Sequence, residues 1–314
     1  MPAHQINANR VMREEWKDIS DNSHIYLICK TPSLAFDPED FSFDKEKCMV
    51  SGSIIYRKKG VINRVQFSAR IELIEGAVDV KLDDYPHREF KTVKADGEFV
   101  FYYPAILVLM ENELHIGNKD LYCYEVVYIG QSFGKGDRSA IDRLRSHSTF
   151  QKILAETQYN NPDHEIVLMG FEYEDVRMII HMDGQNKAQN KGDGGRFFSI
   201  RNNPPTEQQV ISLVEAALIR YFQPDYNVIY KNNFPDNTYK ILEACYKLDF
   251  SGLIVEIDTS ELSITLGAGA AEDSEHHICQ YDLVAHENRW SFFHFRDKDG
   301  NIESFPGVVS QGNS

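Results

Sequence analysis

The sequence lacks the marks of a membrane protein, a disulfide scaffold or a strongly basic nucleic-acid binder. Its five cysteines (Cys29, Cys48, Cys123, Cys245 and Cys279) are scattered and odd in number, with no C-x-x-C pair. That pattern reads as reduced structural thiols and gives no zinc cluster. The longest apolar run, Pro104 to Met110, is far too short to span a bilayer. The first residues, MPAHQINANRVMREEW, are polar and contain no apolar signal core. The expectation is a cytoplasmic protein with no membrane partner. Bases are also in deficit: 33 Lys and Arg stand against 48 Asp and Glu, a net charge of −15. Phosphate contacts dominate nucleic-acid affinity, so such a partner would have to be met by local patches. No internal repeat is present. Apolar and charged fractions are ordinary, and 314 residues suffice for two or three packed units.

What the sequence does have is concentrated in two stretches. The first is Tyr124 to Leu154. Tyr124-Glu125-Val126-Val127-Tyr128-Ile129 is aromatic and β-branched, the language of a strand. Gly130 to Gly136 is a glycine-rich polar turn, and Ser139 onward has helical spacing. Arg143 and His147 are four apart, which predicts a guanidinium and an imidazole on one helix face. This region is locally basic, with Lys135, Arg138, Arg143, Arg145 and Lys152 against Asp137 and Asp142. A second basic segment, Gly184 to Arg201, carries Lys187, Lys191, Arg196 and Arg201 against Asp193, and reads as a Gly/Asn/Lys loop through Phe198.

The second stretch is PPTEQQVISLVEAALIRYFQPDYN. Thr206 is the expected N-cap of a helix that Pro224 ends, with Ile211, Val214, Leu218 and Phe222 as its apolar arc. Glu215 falls inside that arc. A carboxylate removed from water costs several kcal/mol unless paired or bound to a metal. Its bland reading is an ion pair with Arg143 or Arg201 at the border of the core.

Taken together, Tyr128-Ile129-Gly130, then Arg143-x-x-x-His147, then Glu215, then Pro224-Asp225-Tyr226-Asn227 resemble the GIY-YIG nuclease family over about residues 103–235. The resemblance implies an α+β fold. In it, a small domain with a three-stranded antiparallel sheet flanked by helices (residues 99–236) lies between two β-rich flanking units (1–98 and 237–314, the latter with a helix). The strand from Phe99 to Leu109 would form a hairpin with Tyr122–Ile129, and Glu165–Tyr173 would be the third strand. The family's first motif places a tyrosine on the strand before YIG. The nearest match, Ala105-Ile106-Leu107, has leucine there, and Tyr103, or after it Tyr122, is the candidate to supply that hydroxyl from another register.

The activity implied is metal-dependent hydrolysis of phosphodiester bonds, in DNA rather than RNA, in a restriction or antiviral defence setting. By resemblance, Glu215 would hold Mg2+ (or Mn2+). Arg143 would bind the phosphoryl oxygens, and Tyr128 or Tyr103 would handle the water's proton. His147 would share the proton traffic, and Asn227 would brace the glutamate or the backbone. These residue types suit the roles. Mg2+ is held by a carboxylate and waters, a guanidinium forks onto phosphate, and a phenol titrating near ~10 needs its neighbours to become a base. Gly130, Gln131, Lys135, Arg138, Arg145, Lys191 and Arg196 would meet the substrate. A homodimer or a partner protein fits a single site per chain. Two other readings stay open: a nuclease-derived binding module that has lost cleavage, and a subunit whose nuclease is gated by a partner.

Overall fold

The computed structural model describes residues 2–3, 23–131, 147–172, 176–179, 193–248, 250–283, 291–296, 299 and 301–310. The fold is α+β and rich in strands. In chain order the elements are β1 (Ile25–Pro32), β2 (Leu34–Phe36), β3 (Ser42–Asp44), β4 (Met49–Lys58), β5 (Val61–Arg70), β6 (Asp79–Leu82), β7 (Glu89–Val93) and β8 (Phe99–Pro104). Helices α1 (Ala105–Glu111) and α2 (Lys119–Tyr122) come next. There follow β9 (Cys123–Gln131), α3 (Ser148–Asn160), β10 (His164–Phe171), α4 (Asp193–Asn202), α5 (Glu207–Phe222) and α6 (Glu243–Lys247). The chain ends with β11 (Gly252–Asp258), β12 (Thr265–Gly267), β13 (His276–Asp282) and the short β14 (His294–Arg296), β15 (Ile302–Ser304) and β16 (Val308–Val309).

The central sheet has the order β10-β1-β9-β12. β1 is antiparallel to both β9 and β10, and the short β12 adds in parallel to the start of β9. The expected three-stranded antiparallel sheet is therefore present, but its middle strand is β1, which the sequence reading placed in the N-terminal unit. The strand expected to pair with β9 does not do so. Residues 99–104 form β8, which pairs with β7 in another sheet, and residues 105–111 are helical. Leu107 and Tyr103 accordingly belong to a different core.

That second core is built from residues 34–121, which enter and leave between β1 and β9. Phe36 packs against Phe41, Phe67 and Phe90, and Tyr103 stacks on Phe90 with ring centroids 4.9 Å apart. Its long hairpin β4–β5 turns at Lys59-Gly60, both at positive φ (51° and 79°), as a tight turn between right-twisted strands requires. The inserted unit is tied to the start of β10. Ser33 N–H donates to Asp163 O (2.9 Å), Gly60 N–H donates to Asp163 Oδ2 (2.8 Å), and Arg88 pairs with Glu165 at 3.3 Å.

The two faces of the central sheet are covered differently. Ile25, Leu27, Cys29, Val126 and Ile129 face α5 and the C-terminal residues of β11 and β13. Tyr26, Ile28, Val127 and Leu168 face Phe150 and Ile153 of α3. Helix α5 starts at a capping box, Thr206 with Gln209, and ends at Gln223 in the left-handed region. Its buried positions (Ile211, Leu213, Ala216 to Ile219, Phe222) surround the helix, because it lies between the sheet and the C-terminal strands. The expected loop through Phe198 is helical from Asp193 as α4, and the residues after Asn227 form a run of turns.

Candidate functional site

The site begins with a register shift. Along β9 side chains should alternate between faces, which would send Tyr128 to the α5 side with Tyr124 and Val126. Between Ile28 and Cys29 the pairing slips: Ile28 opposes Tyr128 but Cys29 opposes Val126, so Val127 is extra. This β-bulge puts both Val127 and Tyr128 on the α3 side, where Tyr26 also points. The Tyr26 and Tyr128 rings are 6.2 Å apart, and the Tyr26 hydroxyl is near enough to lower the Tyr128 pKa.

Tyr26 opposes Gly130 across the ladder. A Cβ at Gly130 would lie 2.5 Å from both Cζ and the hydroxyl oxygen of Tyr26, and 3.0 Å from Tyr128 Cε1. Glycine is thus required because one phenol lies over its backbone and the other flanks it. His147 completes this side, its ring 5.5 Å from that of Tyr128. His147 is the N-cap of α3, and its Nδ1 accepts from Phe150 N–H at 3.3 Å. With Nδ1 used as an acceptor, the neutral ring carries its proton on Nε2.

The outer edge of β9 supplies the other side. After β12 ends, Tyr226 N–H donates to Val127 O (3.1 Å). The buried Asn227 side chain then imitates a neighbouring strand: its Oδ1 accepts from Ile129 N–H and its Nδ2 donates to Ile129 O, both at 2.9 Å. The next outward donor on that edge, Gln131 N–H, is near enough to the Glu215 carboxylate to lower its pKa. Ser212, one turn earlier on α5, donates to the Gln131 side chain at 3.4 Å. The edge of β9 and helix α5 thus meet at Gln131 and Glu215.

Electrostatics single out Glu215. Burial pushes its pKa up to about 7, against the lowering effect of the Gln131 N–H. Tyr128 is also pushed up, first by burial and then by the Glu215 charge, while the bond from Tyr26 acts the other way. Tyr230 is pushed up by burial and by Glu215 as well. Among the described residues no cation pairs with Glu215, so the partner Arg201 of the bland reading is absent, and Arg143 lies outside them. A divalent cation fits this site: one half-buried carboxylate that needs positive charge, with two phenols that share its field. No three metal-ligating side chains converge among the described residues.

The structure brings together Tyr128, Gly130, Gln131, His147, Glu215 and Asn227 as anticipated. Tyr103 is buried in the inserted unit's core, against Phe90 and Phe101, and belongs to no part of this cluster. Lys135, Arg138, Arg143, Arg145 and Lys191 lie outside the described residues. Arg196 falls on α4, and its side chain is outside the described set too. Helix α3 begins at Ser148, so His147 acts as its cap rather than as an interior residue. Tyr26 was missed. Its signal is the strand run Ile25-Tyr26-Leu27-Ile28, an aromatic among aliphatic residues, which residues 33–122 separate from β9. Comparison with protein-family models, with curated proteins and with solved structures finds no match to this chain.

Proposed function

We propose that the chain is a metal-dependent endonuclease that hydrolyses phosphodiester bonds, in DNA rather than RNA, in the manner of the GIY-YIG nucleases it resembles. The observation that carries this reading is the Tyr26–Tyr128 pair over Gly130, with His147 on one side and Glu215 on the other. In the family's first motif a tyrosine sits on the strand paired with YIG. His24-Ile25-Tyr26 stands there in this chain, displaced in sequence by the inserted residues. On this reading Tyr26, rather than a residue near Leu107, supplies the proton-handling hydroxyl.

Each residue has a definite task in such a reaction. Glu215 would hold Mg2+ or Mn2+ together with waters, and such an ion, when bound, would supply positive charge for the phosphoryl oxygens and lower the pKa of its water. Tyr26 would favour the ionised form of Tyr128, since its hydroxyl acts to lower the Tyr128 pKa. Tyr128 orients the attacking water and accepts its proton, a task eased once the Glu215 charge is compensated. His147, whose Nδ1 accepts from Phe150 N–H, would offer its Nε2 as a donor beside Tyr128. Asn227 holds Ile129, and with it the position of Tyr128 and Gly130, to the edge of α5. Arg143 keeps the phosphate-binding role that the resemblance implies.

The test is cleavage of double-stranded DNA, single-stranded DNA and RNA with Mg2+, Mn2+ or EDTA, beside Glu215→Ala. Metal-dependent cutting that the variant loses is expected. The net charge of −15 favours a second reading, a binding module without turnover. That reading is supported if the protein captures nucleic acid and cuts nothing with any metal.

A further inference from the structure

We propose that Val228 and Ile229 form an apolar wedge that enters the base stack of a DNA duplex next to the bond held at the Tyr128–Glu215 site. The enzyme would then act on DNA that it has locally unstacked. This rests on the nuclease reading above.

Single exposed aliphatics are common on protein surfaces and mean little. These two are adjacent, β-branched, and 86% and 64% exposed. Branching at Cβ leaves them few rotamers, so they are stiff. The turn that carries them is held at both ends. Before it, Tyr226 N–H donates to Val127 O (3.1 Å), its hydroxyl donates to Glu156 Oε2 (2.6 Å), and Asn227 clamps Ile129 through two bonds. After it, Lys231 Nζ donates to Pro224 O (2.9 Å) and closes the turn, while Arg220 donates to Lys231 O (3.0 Å). Tyr230, at φ 68°, packs its ring against Tyr239 and Phe234, at centroid distances of 4.8 and 6.2 Å. A bulky aromatic keeps a positive φ only where its surroundings enforce it.

The position is as informative as the stiffness. The residue before the pair is bonded to Ile129, which lies between Tyr128 and Gly130, and the residue after it feels the Glu215 charge. The pair therefore stands at the lip of the candidate site. Residues 226–235 contain no acid, with Asp225 and Asp236 flanking them, and Arg220 and Lys231 lie at the base of the turn. A rigid apolar tip over cationic groups matches the chemistry of duplex DNA. Its phosphates meet the cations, and its base steps accept Val, Ile, Leu or Phe wedges that partly unstack them.

The test uses the full chain with Ca2+ in place of Mg2+ and a DNA duplex bearing 2-aminopurine, whose fluorescence rises on unstacking. Occupancy is followed by anisotropy. Wild-type protein should raise the fluorescence at least about twofold at saturation, and Val228→Ser/Ile229→Ser should bind without that rise. With Mg2+, the double variant should lose about tenfold or more in cutting a paired duplex, and little on the same duplex with a central mismatch, which is already unstacked. Wild-type binding with no fluorescence change overturns the wedge, as do equal losses on paired and mismatched duplexes. If cutting persists while unstacking is absent, the pair is a protein-docking surface. If nothing is cut, the nuclease reading fails, and the wedge still stands or falls on the wild-type fluorescence.

Discussion

Two glutamates at opposite ends of the central sheet have been pushed by burial to the same pKa, about 7. Glu165 starts β10, opposite Thr31, and Glu215 meets Gln131, which opposes Ile25 at the other end of β1. Their surroundings differ in one respect. Glu165 has Arg88 at 3.3 Å and the Leu34 N–H at 3.4 Å, both from the inserted unit, so its charge is answered within the protein. Glu215 has a backbone N–H and, among the described residues, no cation. A raised carboxylate pKa therefore does not by itself mark a functional site. The inventory of partners does, because an unanswered carboxylate beside two phenols is a place for an external cation.

The strongest way to break this contrast is to remove each carboxylate. Glu215→Ala should lower metal-dependent cleavage on the order of a thousandfold while leaving thermal unfolding close to wild type. Glu165→Ala should leave cleavage within a few-fold. Its cost should appear as lost stability, about 1–3 kcal/mol, as Arg88 loses its partner and the inserted unit loosens from β10. Equal activity losses would abolish the distinction.

Gly130→Ala should come next. Its methyl would need the space of the Tyr26 ring, so cleavage should fall roughly 10- to 100-fold as the phenols move apart. Stability should drop by about 1–3 kcal/mol. Near-wild-type activity would mean that the tyrosine pair does not position the reaction.

The smallest effect is a pH dependence. The folded protein binds the Glu215 proton more tightly than the unfolded chain, since the native pKa of about 7 exceeds the ordinary glutamate value. The stability from the neutral form is complete below the unfolded pKa of about 4.3 and is lost as pH rises through 7. In EDTA, Glu215→Gln should thus melt like wild type near pH 4 and a few degrees higher at pH 8. At pH 8, Mg2+ should raise the wild-type midpoint and that of Glu165→Gln, but not that of Glu215→Gln. A Glu215→Gln protein that Mg2+ still stabilises would place the ion elsewhere.

Much of this arrangement is legible in the sequence. Strand β9, the capped helix α5 with Glu215 inside its apolar surface and the strand at β10 follow from periodicity and capping, and the place of Asn227 from the resemblance. Three features were not. Tyr26 lies on a strand separated from its partner by an entire inserted unit, and local reasoning pairs a strand with its nearest apolar neighbour, here residues 99–109. Pairing across such a gap is decided by the core that Ile25, Leu27 and Cys29 share with Val126 and Ile129, a tertiary fact. The bulge at Val127 leaves no mark in composition, yet it decides which face Tyr128 occupies. His147 shares its spacing from Arg143 with an interior helical residue, but its side chain serves the helix better as a cap at Ser148.

The most direct test compares two phenols. Tyr26→Phe and Tyr103→Phe each delete one hydroxyl and little volume, so metal-dependent cleavage can be measured on folded protein in both. Tyr26→Phe should lose about 10- to 100-fold in cleavage rate with substrate binding retained, and Tyr103→Phe should cut like wild type. Loss in Tyr103→Phe with full activity in Tyr26→Phe would contradict a site assembled across the insertion.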